Sequence, residues 1–362
     1  MRYRHWQTLD GWRAISIAAV MVSHHGLPGW FNRPAVYGLY GVDVFFAISG
    51  FLITSRLIDE REQTGRVDLG AFYIRRCFRI LPPYLAYLAV ITALDALGVL
   101  FVSRREVLSC LTFTRNYHVT SVEFTGATSH FWSLAVEEHF YLLWPACFVW
   151  LGRRRAALFG VAACLVIAVW RAISVRVPVI VAALSGTGML WRTDTRLDAL
   201  LWGAVGALVY NVVAPVLRDR GWLLGVVGCF AALACFAAVP AAFVARAVGF
   251  AALIVVSVSH RGAIRRRVLD GAAIRWVGRL SYSMYIWQSL FMRATAIPTF
   301  GALGRFPVNV LMVFACASAS YYGIEQPLIA VGRRLAAKRA HDSRRAPAAA
   351  PAGADGGGEN AS

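Results

Sequence analysis

The chain has 362 residues, 58% of them hydrophobic and only 15% charged, and its mean hydropathy is +0.57. A soluble domain of this length carries more charge and shorter apolar runs, so the composition excludes that class and predicts an all-α polytopic membrane protein. The net charge of +18 is nearly all arginine, with Lys338 the single lysine, and it collects in short gaps between apolar segments. That placement is a membrane-topology pattern rather than a nucleic-acid-binding one.

Runs near the length needed to span a bilayer predict about ten transmembrane helices, over residues 12–29, 37–58, 81–101, 132–151, 156–174, 196–214, 222–239, 243–259, 279–297 and 307–326. The first run carries Arg13 and His24. Their spacing returns both to nearly one helical face, about 16 Å apart along the axis. It shows no small-residue cleavage site, so it reads as a retained helix rather than a signal peptide. In the second run, Asp43, Gly50 and Thr54 share a face. The dense cluster Arg75-Arg76-Cys77-Phe78-Arg79 follows it. The run around 106–117 is too short to span and reads as interfacial or re-entrant.

The fourth span places Ser133, Glu137, Tyr141 and Trp144 at helical spacing on one stripe, with Glu138 beside it and Trp132 at its start. The sixth opens on Arg196-Leu197-Asp198, and the tenth closes on Glu325-Gln326-Pro327. The loops after even-numbered spans and the tail hold most of the arginines, which puts both termini in the cytoplasm. Residues 1–335 read as one membrane domain. Residues 336–362, rich in Ala, Pro and Gly toward their end, read as a disordered cytoplasmic tail. The seven cysteines have no paired spacing and fall mostly in apolar segments, which suits small core residues. There is no nucleotide-binding loop, and the adjacent His24 and His25 point apart and make a poor chelating pair. No metal and no bound cofactor is therefore expected.

Ionisable groups inside a bilayer are costly, so these need reasons. His24 is either a histidine bonded to a neighbouring helix or a general base. Asp43 and Glu137 must face the bundle interior, as packing pairs or as site residues, and either would orient an imidazole. Arg13, Arg75, Arg76 and Arg79 either mark the cytoplasmic boundary or clamp the phosphates of a donor. A base, carboxylates and a phosphate clamp fit group transfer. Ten helices, a basic face and interior acid–base groups also describe a proton-coupled transporter or flippase.

These residues also carry a resemblance. Leu9-Asp10-Gly11-Trp12-Arg13-Ala14 with His24 resembles the arginine–histidine signature of the membrane acyltransferase-3 family. Asp43 to Ile53, Arg75 to Pro82, His130 to Pro145, Arg196 to Gly203, Leu280 to Gln288 and the closing Glu325-Gln326-Pro327 resemble its later motifs, in family order. The resemblance implies a multi-pass enzyme of the bacterial inner membrane, of the short form without an added esterase-like domain. Such an enzyme moves an acyl group, commonly acetyl, from cytoplasmic acyl-CoA to a hydroxyl. The acceptor is a cell-surface glycan such as a lipopolysaccharide or exopolysaccharide sugar, or alternatively a small molecule such as a macrolide or glycolipid. It implies His24 as base, with Asp43, Glu137 and Glu138 as catalytic partners. Arg13, Arg76 and Arg79 bind the donor, and Ser133, Tyr141, Trp132 and Asp198 support the acceptor side. His139 departs from the family, which more often has Gln there.

Overall fold

The computed structural model describes residues 6–25, 34–118, 126–177, 180, 191–236, 240–260, 262, 267–292 and 298–345. Every regular element among them is helical. The helices are α1 (Gln7–His25), α2 (Pro34–Thr64), α3 (Leu69–Ala96), α4 (Arg104–Leu111), α5 (Phe131–Ser174) and α6 (Thr193–Leu217). They continue with α7 (Trp222–Phe236), α8 (Pro240–Ser259), α9 (Ala272–Met292), α10 (Val308–Ser320) and α11 (Gln326–Arg345). A π-helical turn, Tyr321–Glu325, joins the last two.

Six helices among the described residues are long and apolar enough to cross a membrane: α2, α3, α5, α6, α8 and the run through α10 into α11. The 44 residues of α5 would measure about 66 Å as a straight rod, roughly twice the hydrocarbon core of a bilayer. The helix does not run straight. Gly152 has φ 72° and ψ 173°, a backbone conformation that glycine alone adopts without strain. The Trp144 ring lies 3.6 Å from where a Cβ on Gly160 would sit. Sixteen positions of straight helix would hold those residues about 24 Å apart, so α5 folds back on itself at Gly152. Its two halves coincide with predicted spans four and five. Each of the other predicted segments also overlaps a helix, although residues 26–29, 237–239 and 293–297 of those segments lie outside the described residues.

Helix α2 organises the bundle. Its apolar window is 78% buried, against 22% for that of α5, which presents most of its surface outward. It packs on α1, α5, α6 and α8, while α1 also packs on α9, and α3 on α11. At the α2–α6 crossing the backbones nearly touch: a Cβ on Gly50 would strike the Leu200 carbonyl, and one on Gly203 the Ala47 carbonyl. Two glycines thus set the crossing distance, by removing the side chains that would hold the helices apart.

Several helices run past their predicted spans, and α3 and α9 begin furthest ahead of theirs. Helix α3 starts at Leu69, capped by Asp68, whose Oδ1 accepts from Ala71 N at 2.9 Å. Helix α9 starts at Ala272. Arginine is a good helix former, so both helices continue past the point where hydropathy falls. The same physics corrects the expectation of a disordered tail from residue 336. Helix α11 runs to Arg345, with Ile329 and Ala336 buried and Arg339 Nε 3.6 Å from Asp68 Oδ1. The tail beyond residue 345 lies outside the described residues. The end of the bundle where α1 begins and α2 finishes gathers most of the arginines, and is called the basic end below.

Adding a methyl group at Gly50 or Gly203 must push α2 from α6. Gly50→Ala and Gly203→Ala are expected to cost about 1–3 kcal/mol each, read as a lower melting temperature of the detergent-purified protein. Gly228→Ala, where a Cβ meets nothing within 4 Å, is the matched control and should not lower it.

Candidate active site

Two cavities meet inside the basic half of the bundle. The inner one lies between α1, α2, α3, α5 and α9, and its lining includes Arg13, Ser49, Arg76, Arg79, Ser133, Glu137, Tyr141 and Tyr285. Six residues singled out in the sequence thus share one chamber although they come from three helices. The stripe on α5 explains why. Ser133 Oγ lies 2.6 Å from the Tyr285 hydroxyl on α9, and Glu137 Oε1 accepts from Ser49 Oγ on α2 at 2.9 Å. The Tyr141 ring lies 4.1 Å beneath the Arg76 guanidinium, and Trp144 Nε1 donates to Thr54 Oγ1 at 2.8 Å. Arg13 points into the same chamber, 3.9 Å from Asp10 one turn earlier.

The outer cavity opens at the basic end and is the larger of the two. Arg56 from α2, Arg75, Arg76 and Arg79 from α3 and Arg333 from α11 line it, against one carboxylate, Glu60. Arg75 Nη2 donates to Glu60 Oε2 at 3.0 Å, so this arginine serves the chamber wall. Arg76 and Arg79 line both cavities and form the neck between them. The stacking on Tyr141 holds Arg76 there, and its charge attracts Glu137 and Glu138. Arg79 is attracted by Glu325, which also accepts from Ser283 Oγ at 3.0 Å. Pro82 and Pro83 follow within α3, so the Phe78 and Arg79 carbonyls lose their usual helical donors beside the neck.

His24 does not line the inner cavity. Its Nδ1 lies 3.2 Å from Gln288 Oε1 on α9. A carboxamide oxygen only accepts, so this contact is made by a ring that carries its proton on Nδ1. Gln288 sits three residues beyond Tyr285, about 4.5 Å along the helix. Ser133 and Tyr285 line the roof of the inner cavity, with Tyr285 about one helical turn from the glutamine that meets His24. Gln288 is fully buried, and its Nε2 has no hydrogen-bond partner among the described residues.

The partners expected for His24 are engaged elsewhere. Asp43 Oδ1 accepts from Arg196 Nη2, and its Oδ2 lies 3.5 Å from Arg246 Nε. Asp198 is paired with Arg171 at 2.6 Å. These five side chains form a buried ion lattice tying α2, α5, α6 and α8, with Phe243 lying under all three guanidiniums. Trp132 belongs to it as well, 5.6 Å from the Arg196 guanidinium and stacked at a tilt on Trp191. Asp43, expected beside the imidazole, thus lies among these cations, together with Asp198 and Trp132, which were expected on the acceptor side. Charge cost inside a bilayer said that Asp43 needed a reason but not which cation supplied it. Glu138 Oε1 is buried with no hydrogen-bond partner among the described residues, and His139 Nδ1 lies 2.6 Å from Thr193 Oγ1. Sequence reasoning placed Gln288 and Glu325 in motifs without giving them roles. Their polarity within an apolar run was the available signal. Among the described residues no group of His, Cys, Asp or Glu is placed to hold a metal ion.

The sequence model of a family described as an acyltransferase domain, acyltransferase-3, matches residues 6–323. Over 353 aligned residues and 89% of its length, the chain is 28% identical to the peptidoglycan O-acetyltransferase OatA of Listeria monocytogenes. Over 359 aligned residues and 90% of its length, it is 26% identical to the O-acetyltransferase OatA of Staphylococcus aureus. The alignments span 55% and 57% of those two proteins, so the chain covers about half the length of the curated relatives it matches. No solved structure matches it.

Removing Asp43 strips Arg196 and Arg246 of their shared carboxylate in an apolar interior. Asp43→Ala is expected to cost about 3–5 kcal/mol, seen as a fall in melting temperature and in monodisperse yield. A stable Asp43→Ala protein would contradict the structural role.

Proposed function

The chain belongs to the acyltransferase-3 family, and from that premise we propose that it is a multi-pass O-acyltransferase of the bacterial inner membrane. It carries an acyl group, acetyl in the first instance, from cytoplasmic acyl-CoA to a hydroxyl of a cell-surface glycan. The names of the relatives support acetyl transfer, and one of them supports a peptidoglycan acceptor. The helical segments that overlap the ten predicted runs, read with the distribution of arginine, support a reading of ten spans with both termini in the cytoplasm. On that reading the basic end faces the cytoplasm and His24 faces the other side.

The observation that carries the proposal is that Arg76 and Arg79 line both cavities. A donor whose phosphates are held at this neck has its thioester in the inner cavity, with Arg13, Glu137 and Tyr141 around it. The acceptor hydroxyl comes from the far side to His24. Nε2 of His24 takes the hydroxyl proton as the oxygen attacks the thioester carbonyl, and negative charge develops on the carbonyl oxygen. The carbon–sulfur bond then breaks, CoA leaves as thiolate, and the proton on Nε2 passes to the sulfur. An ester and free CoA thiol result. Gln288 Oε1 holds Nδ1–H throughout, which fixes the ring and its tautomer and stabilises the imidazolium that forms. Membership of this family favours such transfer over the carrier that charge alone also suggested.

Labelled acetyl-CoA supplied to membranes containing the protein should leave label esterified to glycan. His24→Ala is expected to lower that transfer by about 10²–10⁴-fold without loss of folded protein. Gln288→Leu should lower kcat by about 10–100-fold, the worth of one hydrogen bond to a group that becomes charged, while KM for the donor holds. Transfer by His24→Ala near the unaltered level would overturn the base assignment.

A further inference from the structure

We infer that the outer cavity is the docking site for the nucleotide end of CoA, with the ribose 3′-phosphate recognised by Arg56 and Arg333 and helix α11 forming the wall of the site. This rests on the acyl-CoA reading above. The chamber's charge carries the first part of the argument: five arginines face one glutamate, and that glutamate already holds Arg75. A wide chamber with a cationic lining at the basic end suits a ligand bearing several phosphates.

The order of groups carries the second part. Reading outward from its thioester, CoA presents a pantetheine arm, a diphosphate and then an adenosine bearing a 3′-phosphate. Reading outward from the roof, the protein presents the inner cavity, then Arg76 and Arg79 at the neck, then Arg56 and Arg333 in the outer chamber alone. With the diphosphate at the neck, the 3′-phosphate falls among the outer arginines. The guanidinium fork suits a phosphate monoester, which offers paired oxygens.

The wall is fixed rather than loosely apposed. Gly332 lies against the Phe78 side chain, where a Cβ would clash, and Arg339 lies beside both Asp68 and Gly70. Ile329 and Ala336 are buried on the same helix. Arg333, Ala337 and Ala340 follow at helical spacing and turn to the chamber. Helix α11 thus holds a cation over a cavity whose floor belongs to α2 and α3.

The test compares acetyl-CoA with 3′-dephospho-acetyl-CoA as donors for the full-length protein in neutral-lipid nanodiscs. For the unaltered enzyme, KM for acetyl-CoA is expected to be about tenfold lower than for the dephospho donor. Arg333→Gln and Arg56→Gln should each raise KM for acetyl-CoA toward the dephospho value and leave kcat in place. Arg334→Gln, on the same helix but outside the chamber, should change neither. Equal KM values for the two donors in the unaltered enzyme would overturn this inference and leave the donor assignment standing, and that comparison needs no variant. Transfer from neither donor would overturn the acyl-CoA reading itself. Repeating the series with phosphatidylglycerol in the nanodiscs separates a lipid-headgroup site. If Arg333→Gln altered only the response to that lipid, with donor discrimination intact, the nucleotide assignment would fall.

Discussion

The structure depends on one constraint: a guanidinium inside an apolar bundle must be held by neighbours that replace water. Arg76 meets it with the Tyr141 ring 4.1 Å away on one side and with attraction to Glu137 and Glu138 on the other. Arg76 thereby lines both cavities as a half-buried cation, and the polar stripe on α5 supplies the Tyr141 ring and the Glu137 carboxyl beside it.

The same constraint is met differently a few turns away. Arg171, Arg196 and Arg246 share Asp43, Asp198 and the Phe243 ring, and they tie four helices together without lining either cavity. Buried ion pairs of this kind add little net stability over apolar packing, but losing one partner is costly. They therefore specify the arrangement of helices more than they strengthen it. The bundle thus holds two kinds of buried charge: a lattice that closes on itself, and a neck that faces empty space.

Much of this was legible in the sequence. Hydropathy located the helical segments, and helical spacing put Ser133, Glu137, Tyr141 and Trp144 on one inward stripe, which reaches α2, α3 and α9. Helix ends were less legible, because hydropathy follows lipid contact while the backbone continues through arginine and alanine into α11. Pairing between helices was least legible. Periodicity says which face a residue occupies but not which helix faces it, so Asp43 was a candidate partner for His24 until Arg196 and Arg246 were seen to hold it. Gln288 stood within a motif and only the folded chain brings it to His24.

The central claim is that one continuous route runs from the basic end, past Arg76 and Arg79, to the roof at Ser133 and Tyr285. The most direct measurement is an experimental structure of the full chain with a non-hydrolysable thioether analogue of acetyl-CoA. The route predicts the nucleotide in the outer chamber, phosphates beside Arg76 and Arg79, and the acyl end against Ser133 and Tyr285. An analogue bound from the opposite end, or one whose acyl end stops short of the neck, would contradict it.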